Sequence, residues 1–67
     1  MNVRDFVLRT RINEATELLK TTDEPIAEIA IDCGFCDQSH FSNQFRRFRG
    51  MSPARYRKAY ATTNSVS

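Results

Sequence analysis

Long hydrophobic runs, a leader peptide and a cysteine framework are all missing from this sequence. No apolar stretch approaches the length that a helix needs to cross a bilayer, and the N-terminus lacks the charged-then-apolar layout of a signal peptide. Only two cysteines are present, which is too few for the disulfide framework of a small secreted domain. We therefore expect a cytoplasmic protein that has no association with a membrane.

Acidic residues are absent after Asp37, and the charge of the chain is divided accordingly. All eight acids lie at or before Asp37, together with four of the ten basic residues, and the other six basic residues follow it. The two parts therefore carry formal charges of −4 and +6. This asymmetry indicates a polyanionic partner for the second part, although charge alone is equally consistent with a solvated basic helix face.

The first half of the sequence carries two helix signals and no strand-like alternation. Apolar residues at helical spacing predict a first helix over about 3–20. Pro25 suits the first turn of a second, short helix, with capping oxygens supplied by the polar residues 21–24 before it. Gly34 suits a left-handed cap at the end of that helix.

The second half continues with two more helices. Asp37 is expected to cap a third helix over about 37–49, and Ser52 to cap a fourth over about 53–60, before a flexible tail at 61–67. The 67 residues suffice for one domain at most. The sequence thus predicts an all-α, four-helix fold in which residues 25–49 form a homeodomain-like helix-turn-helix unit after a long N-terminal helix.

The third helix separates an aromatic face from a polar one. Phe41, Phe45 and Phe48 recur at helical spacing and predict the buried face. The remaining surface offers amide, hydroxyl, imidazole and guanidinium groups but no carboxylate: Gln38, Ser39, His40, Asn43, Arg46 and Arg47. Amides pair with adenine, guanidinium groups with guanine and hydroxyls with either partner, so this surface predicts a recognition helix in the major groove of DNA.

Further side chains are candidates for phosphate contacts, which position a protein on DNA without reading its sequence. The fourth helix exposes backbone N–H groups at its N-terminus, which suits an anion. The candidates are Ser42, Arg46, Arg47, Arg49, Ser52 and Arg55, with added charge from Arg57 or Lys58.

Several motifs together resemble the C-terminal signature of the AraC/XylS transcription regulators. They are Ile26–Ala30, Cys33–Phe35, Asp37–Ser42, Phe45 and Gly50–Arg57, and the segment Arg11–Leu19 is similar to the linker helix of that family. The resemblance implies a bacterial regulator that binds double-stranded DNA at a promoter or operator and often touches RNA polymerase. Carried over by position, it implies base contacts by Gln38, Ser39, His40 and Asn43, and backbone contacts by Ser42, Arg46 and Arg47.

The resemblance has one departure. The DNA-binding domain of the family carries two helix-turn-helix units joined by the linker helix, whereas this sequence starts at that helix. We therefore expect residues 1–60 to be a partial domain that binds DNA weakly by itself. On the first helix, Val3, Phe6 and Val7 point away from the core stripe that includes Leu8 and Ile12. This second apolar face predicts exposure to solvent or burial by self-association.

Chemistry other than DNA binding has little support. Cys33 and Cys36 form a C-x-x-C pair, but neither the βαβ context of a redox site nor a full set of zinc ligands accompanies it. His40 lacks a catalytic partner as well. From these observations together, we expect no enzyme, no metal and no cofactor. Arg11 is expected to pair with a nearby acid.

The alternative function is a helical protein-interaction module that contacts polymerase or a partner subunit without reading DNA. It would use the acids Glu24, Glu28 and Asp32, which are expected to be exposed.

Overall fold

The computed structural model describes residues 2–61 of the chain, and within them four α-helices and no β-strand. Helix α1 spans Val3–Thr21, α2 spans Ile26–Asp32, α3 spans Gln38–Arg49 and α4 spans Pro53–Tyr60. This confirms the all-α, helix-turn-helix fold class. Apart from Ala61, the tail predicted at 61–67 lies outside the described residues. Within residues 2–61, every helix is too short or too polar to span a bilayer.

The core lies between α1 and the other three helices, and each of these three helices packs against α1. Its buried side chains come from every part of the helix-turn-helix unit and from the stripe on α1: Ile12, Ala15, Leu19, Ile29, Ala30, Cys33, Phe35, Phe41 and Phe45. Ala30 is fully buried, which lets the two helices of the unit approach closely. Burying each large side chain contributes about 1.5–3 kcal/mol, so α1 is an integral part of this domain.

Aromatic contacts connect the turn, α3 and α4. Ring centroids are 5.2 Å apart between Phe35 and Phe41, 5.6 Å between Phe41 and Phe45, and 5.4 Å between Phe45 and Tyr56. Such pairs add about 0.5–1.5 kcal/mol each beyond their buried area. The Tyr60 ring contacts that of Tyr56 in a tilted arrangement, with centroids 4.6 Å apart, but Tyr60 remains 50% exposed.

The turn between α2 and α3 is fixed by its backbone hydrogen bonds. Gly34 has a φ of +90°, the N–H of Phe35 donates to Ala30 O at 2.9 Å, and the N–H of Gly34 donates to Ile31 O at 3.0 Å. These two bonds form a Schellman motif, which needs a left-handed residue after the helix end and therefore favours glycine. The predicted left-handed cap at Gly34 is confirmed.

The start of α2 differs from expectation. Pro25 is the N-cap residue itself, and no side chain caps the helix. The Thr22 hydroxyl accepts a bond from Glu24 N at 3.2 Å and donates to Leu18 O at 2.7 Å, so it serves the end of α1 and the connection instead. Proline fixes the φ angle before α2, and its carbonyl oxygen accepts from the N–H groups of Glu28 and Ile29 at 3.0 Å each, but it has no side-chain oxygen to cap the helix.

Two expectations for α1 are also corrected. The Arg11 guanidinium donates to Gly34 O at 3.3 Å and so pairs with a backbone carbonyl instead of an acid. Val3 and Phe6 are 78% and 60% exposed, as the second apolar face predicted. Val7 differs, because it is half-buried and lines a cleft between α1 and α3.

Candidate nucleic-acid interface

Helix α3 begins at a capped tip. Asp37 has extended backbone angles, and its carboxylate accepts a hydrogen bond from His40 N at 2.7 Å, as predicted for an N-cap. This bond satisfies one of the N–H groups that the start of a helix leaves unpaired. The capping carboxylate is the last acid in the chain, so everything on α3 beyond its cap is neutral or basic.

The surface of α3 away from the core carries the residues predicted to contact bases. All four are exposed: Gln38, Ser39, His40 and Asn43. Ser39 and Asn43 lie opposite the aromatic face. His40 lies on the side of α3 that faces α1. Its ring contacts that of Phe35, in the turn before α3, edge-on with the centroids 5.5 Å apart. The exposed surface of α3 therefore offers hydrogen-bond donors and acceptors without a charge that DNA would repel.

The predicted phosphate-contact residues lie on both flanks of α3. Arg46 lines a shallow cleft with Ser52 and Arg55 at the N-terminus of α4, whereas Arg47 lies on the other flank, toward α1. The three arginines are exposed, and Ser42 and Ser52 are half-buried. The candidates therefore surround the recognition helix on two sides.

Ser52 combines a structural role with a free donor. Its hydroxyl oxygen accepts a hydrogen bond from Arg55 N at 3.2 Å, which makes Ser52 the N-cap of α4, with Pro53 as the first helical residue. A hydroxyl that accepts in this way keeps its own proton as a donor. Ser52 can therefore cap α4 and donate to a phosphate oxygen at the same time.

Arg49 has a role within the fold, although its position in the sequence suggested a phosphate contact. Its Nε donates to Thr16 Oγ1 at 3.2 Å, and its Nη2 donates to Asn13 Oδ1. The buried Thr16 hydroxyl donates in turn to Ile12 O at 2.7 Å. Arg49 thus ties the C-terminal end of α3 to α1.

Arg57 also serves the fold, and no local sequence signal predicted it. Its Nε donates to Leu19 O at 3.2 Å and its Nη2 to Thr22 O at 3.1 Å, which satisfies carbonyl groups at the end of α1. Within residues 2–61, no such bond or ion pair engages four other basic side chains of the second half: Arg46, Arg47, Arg55 and Lys58. Of the six basic residues after Asp37, two therefore connect helices and four face solvent.

The acidic residues of α2 and its approach form a separate surface. A hydrogen bond with Asp32 raises the pKa of the Glu24 carboxyl, and desolvation and repulsion from Asp32 and Glu28 act in the same direction against the attraction of Arg57. Glu28 and Asp32 are exposed, and Glu24 is half-buried. Two of these three acids lie on α2 and Glu24 lies just before it, whereas α3 itself carries no acid.

The two cysteines are free thiols in different environments. Cys33 is buried in the core and Cys36 is exposed. Burial, with the negative charges of Glu14, Asp32 and Glu24, raises the pKa of the Cys33 thiol. A raised pKa disfavours the thiolate that redox chemistry and zinc binding need. In the part of the chain that the structure describes, no group of three or more His, Cys, Asp or Glu residues could hold a metal ion.

Comparison with known proteins gives a consistent result. The model of a helix-turn-helix domain family matches residues 1–59. The "Probable transcriptional regulator LumQ" of Photobacterium leiognathi is 47% identical over 51 residues, which are 76% of this chain and 21% of that protein. The melibiose operon regulatory protein of Escherichia coli (strain K12) is 38% identical over 58 residues, 87% of this chain and 19% of that protein.

A third relative, the HTH-type transcriptional activator RhaS of Escherichia fergusonii, is 42% identical over 53 residues, 79% of this chain and 19% of that protein. This chain therefore spans about a fifth of the length of the curated relatives it matches. No solved structure matches it significantly. From the family match over nearly the whole sequence and these relatives, the chain belongs to the helix-turn-helix domains of the AraC/XylS-type regulators, which bind specific DNA sequences in transcription regulation.

Proposed function

We propose that this domain binds double-stranded DNA with α3 in the major groove and that side chains of α3 read the base edges. The observation that supports this most directly is the exposed surface of α3, which has amide, hydroxyl and guanidinium groups and no acid beyond its cap. An α-helix fits the major groove, and these are the groups that distinguish base pairs there.

The proposed roles follow the geometry of α3. Asn43 and Ser39 lie at the centre of the surface and contact base edges, and Gln38 and His40 do so from the N-terminal turn. Phosphate groups are bound by residues on the flanks of α3 and at the start of α4: Ser42, Arg46, Arg47, Ser52 and Arg55. Three of these are cations, and neutralising three phosphates gives a slope of log K against log salt of about −2.7.

A binding assay tests both halves of this proposal. Binding sites are first selected from random-sequence duplexes, and fluorescence anisotropy then gives the affinity between 50 and 200 mM salt. We expect the affinity to fall about 40-fold or more over this range. Asn43→Ala should weaken binding to the selected duplex about 5- to 150-fold and leave the salt slope unchanged, because an amide reads a base but releases no counterion.

Two variants serve as controls. Arg55→Gln should weaken binding to selected and random duplexes alike and reduce the slope by about 0.9. Thr21→Ala removes an exposed hydroxyl that bonds only Glu17 O of its own helix and should change neither quantity. If selection enriches no sequence, or if Asn43→Ala binds the selected duplex as well as the unmodified protein does, base reading by α3 is wrong.

Broader aspects of the proposal concern location and partners. We propose that the domain acts in the cytoplasm, at a promoter or operator, as a binding protein and not as an enzyme.

We also propose self-association through Val3, Phe6 and Val7, which is supported by the exposure of the first two side chains. Analytical ultracentrifugation of the unmodified protein and a Phe6→Ser variant tests it, and a monomer in both cases would contradict it.

A contact with RNA polymerase or another protein is the second candidate function, and α2 supports it. Ile31 is 59% exposed beside the acids Glu28 and Asp32, so this surface combines apolar area with negative charge. An Ile31→Ser/Asp32→Asn variant that binds DNA normally but activates or represses transcription less would support this function. Unchanged regulation would count against it.

A further inference from the structure

A cleft of about 560 Å³ lies between the N-terminal half of α1 and the flank of α3 that carries Arg47. From α1 it is lined by Arg4, Asp5 and Arg11, and from α3 by His40, Gln44 and Arg47. No local sequence signal joins these groups, because the linear charge pattern places all of the excess basic residues after Asp37. Folding brings the arginines of α1 beside the recognition helix.

The cleft is basic. Three guanidinium groups and one imidazole line it, against the single carboxylate of Asp5. Arg4 and Arg11 are seven positions apart, which places them on the same face of α1 with their Cα atoms about 10 Å apart. A DNA strand carries one phosphate charge per about 3.4 Å of axis, so two arginines at this spacing match a stretch of one strand.

One cation of the cleft, Arg11, is held by an internal hydrogen bond, and one buried polar atom, Gln44 Oε1, has no hydrogen-bond partner within the described residues. The Arg11 guanidinium is anchored by its bond to Gly34 O at 3.3 Å, which holds it at the cleft while its remaining N–H groups stay available. The Oε1 atom of Gln44 is buried and accepts no hydrogen bond within the described residues. Buried polar atoms in proteins nearly always have a partner. This oxygen can only accept, and a DNA phosphate has no donor, so its partner would be a water or an arginine N–H that bridges it to a phosphate.

The position of the cleft identifies the ligand. A helix with its side chains is about 10–12 Å wide, and the major groove is about 12 Å wide, so a helix in the groove faces a phosphate strand on each flank. Arg46 and the start of α4 occupy one flank of α3, and the cleft occupies the other. We infer that Arg4 and Arg11 of α1, together with Arg47, bind backbone phosphates of the DNA strand opposite the one that contacts α4. This inference rests on the proposed function, and it adds α1 as a DNA-binding element beside α3 and the start of α4.

Charge removal at the exposed Arg4 tests this inference without disturbing the Arg11–Gly34 bond. In the anisotropy assay, Arg4→Gln should reduce the slope of log K against log salt by about 0.9, and affinity at 0.1 M salt should fall about eightfold. The preferred sequence should not change, because phosphate contacts carry no sequence information. Arg4→Glu should weaken binding further than Arg4→Gln.

The matched control is Lys20→Gln, which removes the same charge from the other end of α1. Lys20 forms an ion pair with Glu17 at 3.3 Å and lies about 24 Å along the helix from Arg4, well beyond the screening length of about 10 Å at 0.1 M salt. Its slope and affinity should match those of the unmodified protein. Thermal denaturation of each variant verifies that the fold is retained.

The outcomes separate this inference from the function on which it rests. If the unmodified protein shows no salt-dependent DNA binding, the proposed function fails. If the unmodified protein binds, and Arg55→Gln reduces the slope while Arg4→Gln and Arg4→Glu leave slope and affinity unchanged, then only the role of α1 is wrong. An equal effect of Lys20→Gln and Arg4→Gln would also overturn it, because the contribution would then be net charge and not the cleft.

Discussion

Substituting alanine for Gly34 perturbs both the turn of the helix-turn-helix unit and the hydrogen bond from the Arg11 guanidinium to Gly34 O. Gly34 has a φ of +90°, and a Cβ atom added there would lie 3.2 Å from both Cζ and Nε of Arg11. Because that contact is tighter than side chains tolerate comfortably, the guanidinium must move away. A shift of a few tenths of an ångström weakens the bond from Arg11 to Gly34 O, which is already 3.3 Å long.

Gly50 provides a matched comparison for this substitution. It has a similar φ of +81°, but an added Cβ would meet nothing within 4 Å. Gly50→Ala should therefore reduce the free energy of unfolding by the backbone cost alone, about 1–2 kcal/mol. Gly34→Ala carries the same backbone cost plus the cost of displacing Arg11 and weakening its hydrogen bond, about 0.5–1.5 kcal/mol. For a domain of this size, a difference of about 1 kcal/mol corresponds to about 4–8 °C in Tm.

Urea denaturation followed by circular dichroism measures both variants. We expect Gly34→Ala to be the less stable of the two. In the background of Arg11→Ala, where the guanidinium is absent, the cost of Gly34→Ala should fall to that of Gly50→Ala, because only the backbone cost remains. Equal costs for the two glycine variants in the unmodified background, or no coupling between Gly34 and Arg11, would refute this reasoning.

Three further predictions concern other parts of the molecule. Arg49→Gln should lower the free energy of unfolding by about 1–2 kcal/mol in urea denaturation and leave the salt slope of DNA binding unchanged; a reduced slope would show that Arg49 binds phosphate after all. The pKa of Glu24 is raised above its ordinary value of 4.5, and the first cause is its hydrogen bond with Asp32. Protonated Glu24 therefore stabilises the fold, fully so below pH 4.5, and this contribution is lost as pH rises through the raised pKa. Glu24→Gln should therefore raise Tm at pH 7 and have little effect at pH 3, and an equal shift at both pH values would contradict this. Iodoacetamide should modify the exposed Cys36 readily and the buried Cys33 only on unfolding, as mass spectrometry would show, whereas equal rates in the folded protein would contradict the burial of Cys33.

Apart from the start of α2, the sequence predicted the helices and their ends because those signals are local. The capping oxygens of Asp37 and Ser52 each act on an N–H group three residues away, and Gly34 occupies the one position of the turn that requires a positive φ. The aromatic spacing of Phe41 and Phe45 is local in the same sense. Because such signals are complete within a few residues, the order and type of the helices follow from the sequence alone.

The roles of the arginines could not be predicted in this way. The acceptors of Arg11, Arg49 and Arg57 all lie between 23 and 38 residues away in sequence. A guanidinium group can donate to a phosphate, a carbonyl or a hydroxyl oxygen, and its position in the chain does not show which of these lies beside it. For the same reason the charge pattern did not reveal that Arg4 lies at the same cleft as Arg47.

Methylation interference on a selected duplex tests most directly whether α3 reads bases in the major groove. Guanine N7 faces the major groove and adenine N3 the minor groove, so methylation at each site blocks one groove only. Since α3 has 12 residues and is therefore about 18 Å long, we predict that guanine N7 methylation blocks binding over about five consecutive base pairs. Methylation of adenine N3 in the same segment should have no effect. Interference from adenine N3 without interference from guanine N7 would contradict α3 as the recognition helix.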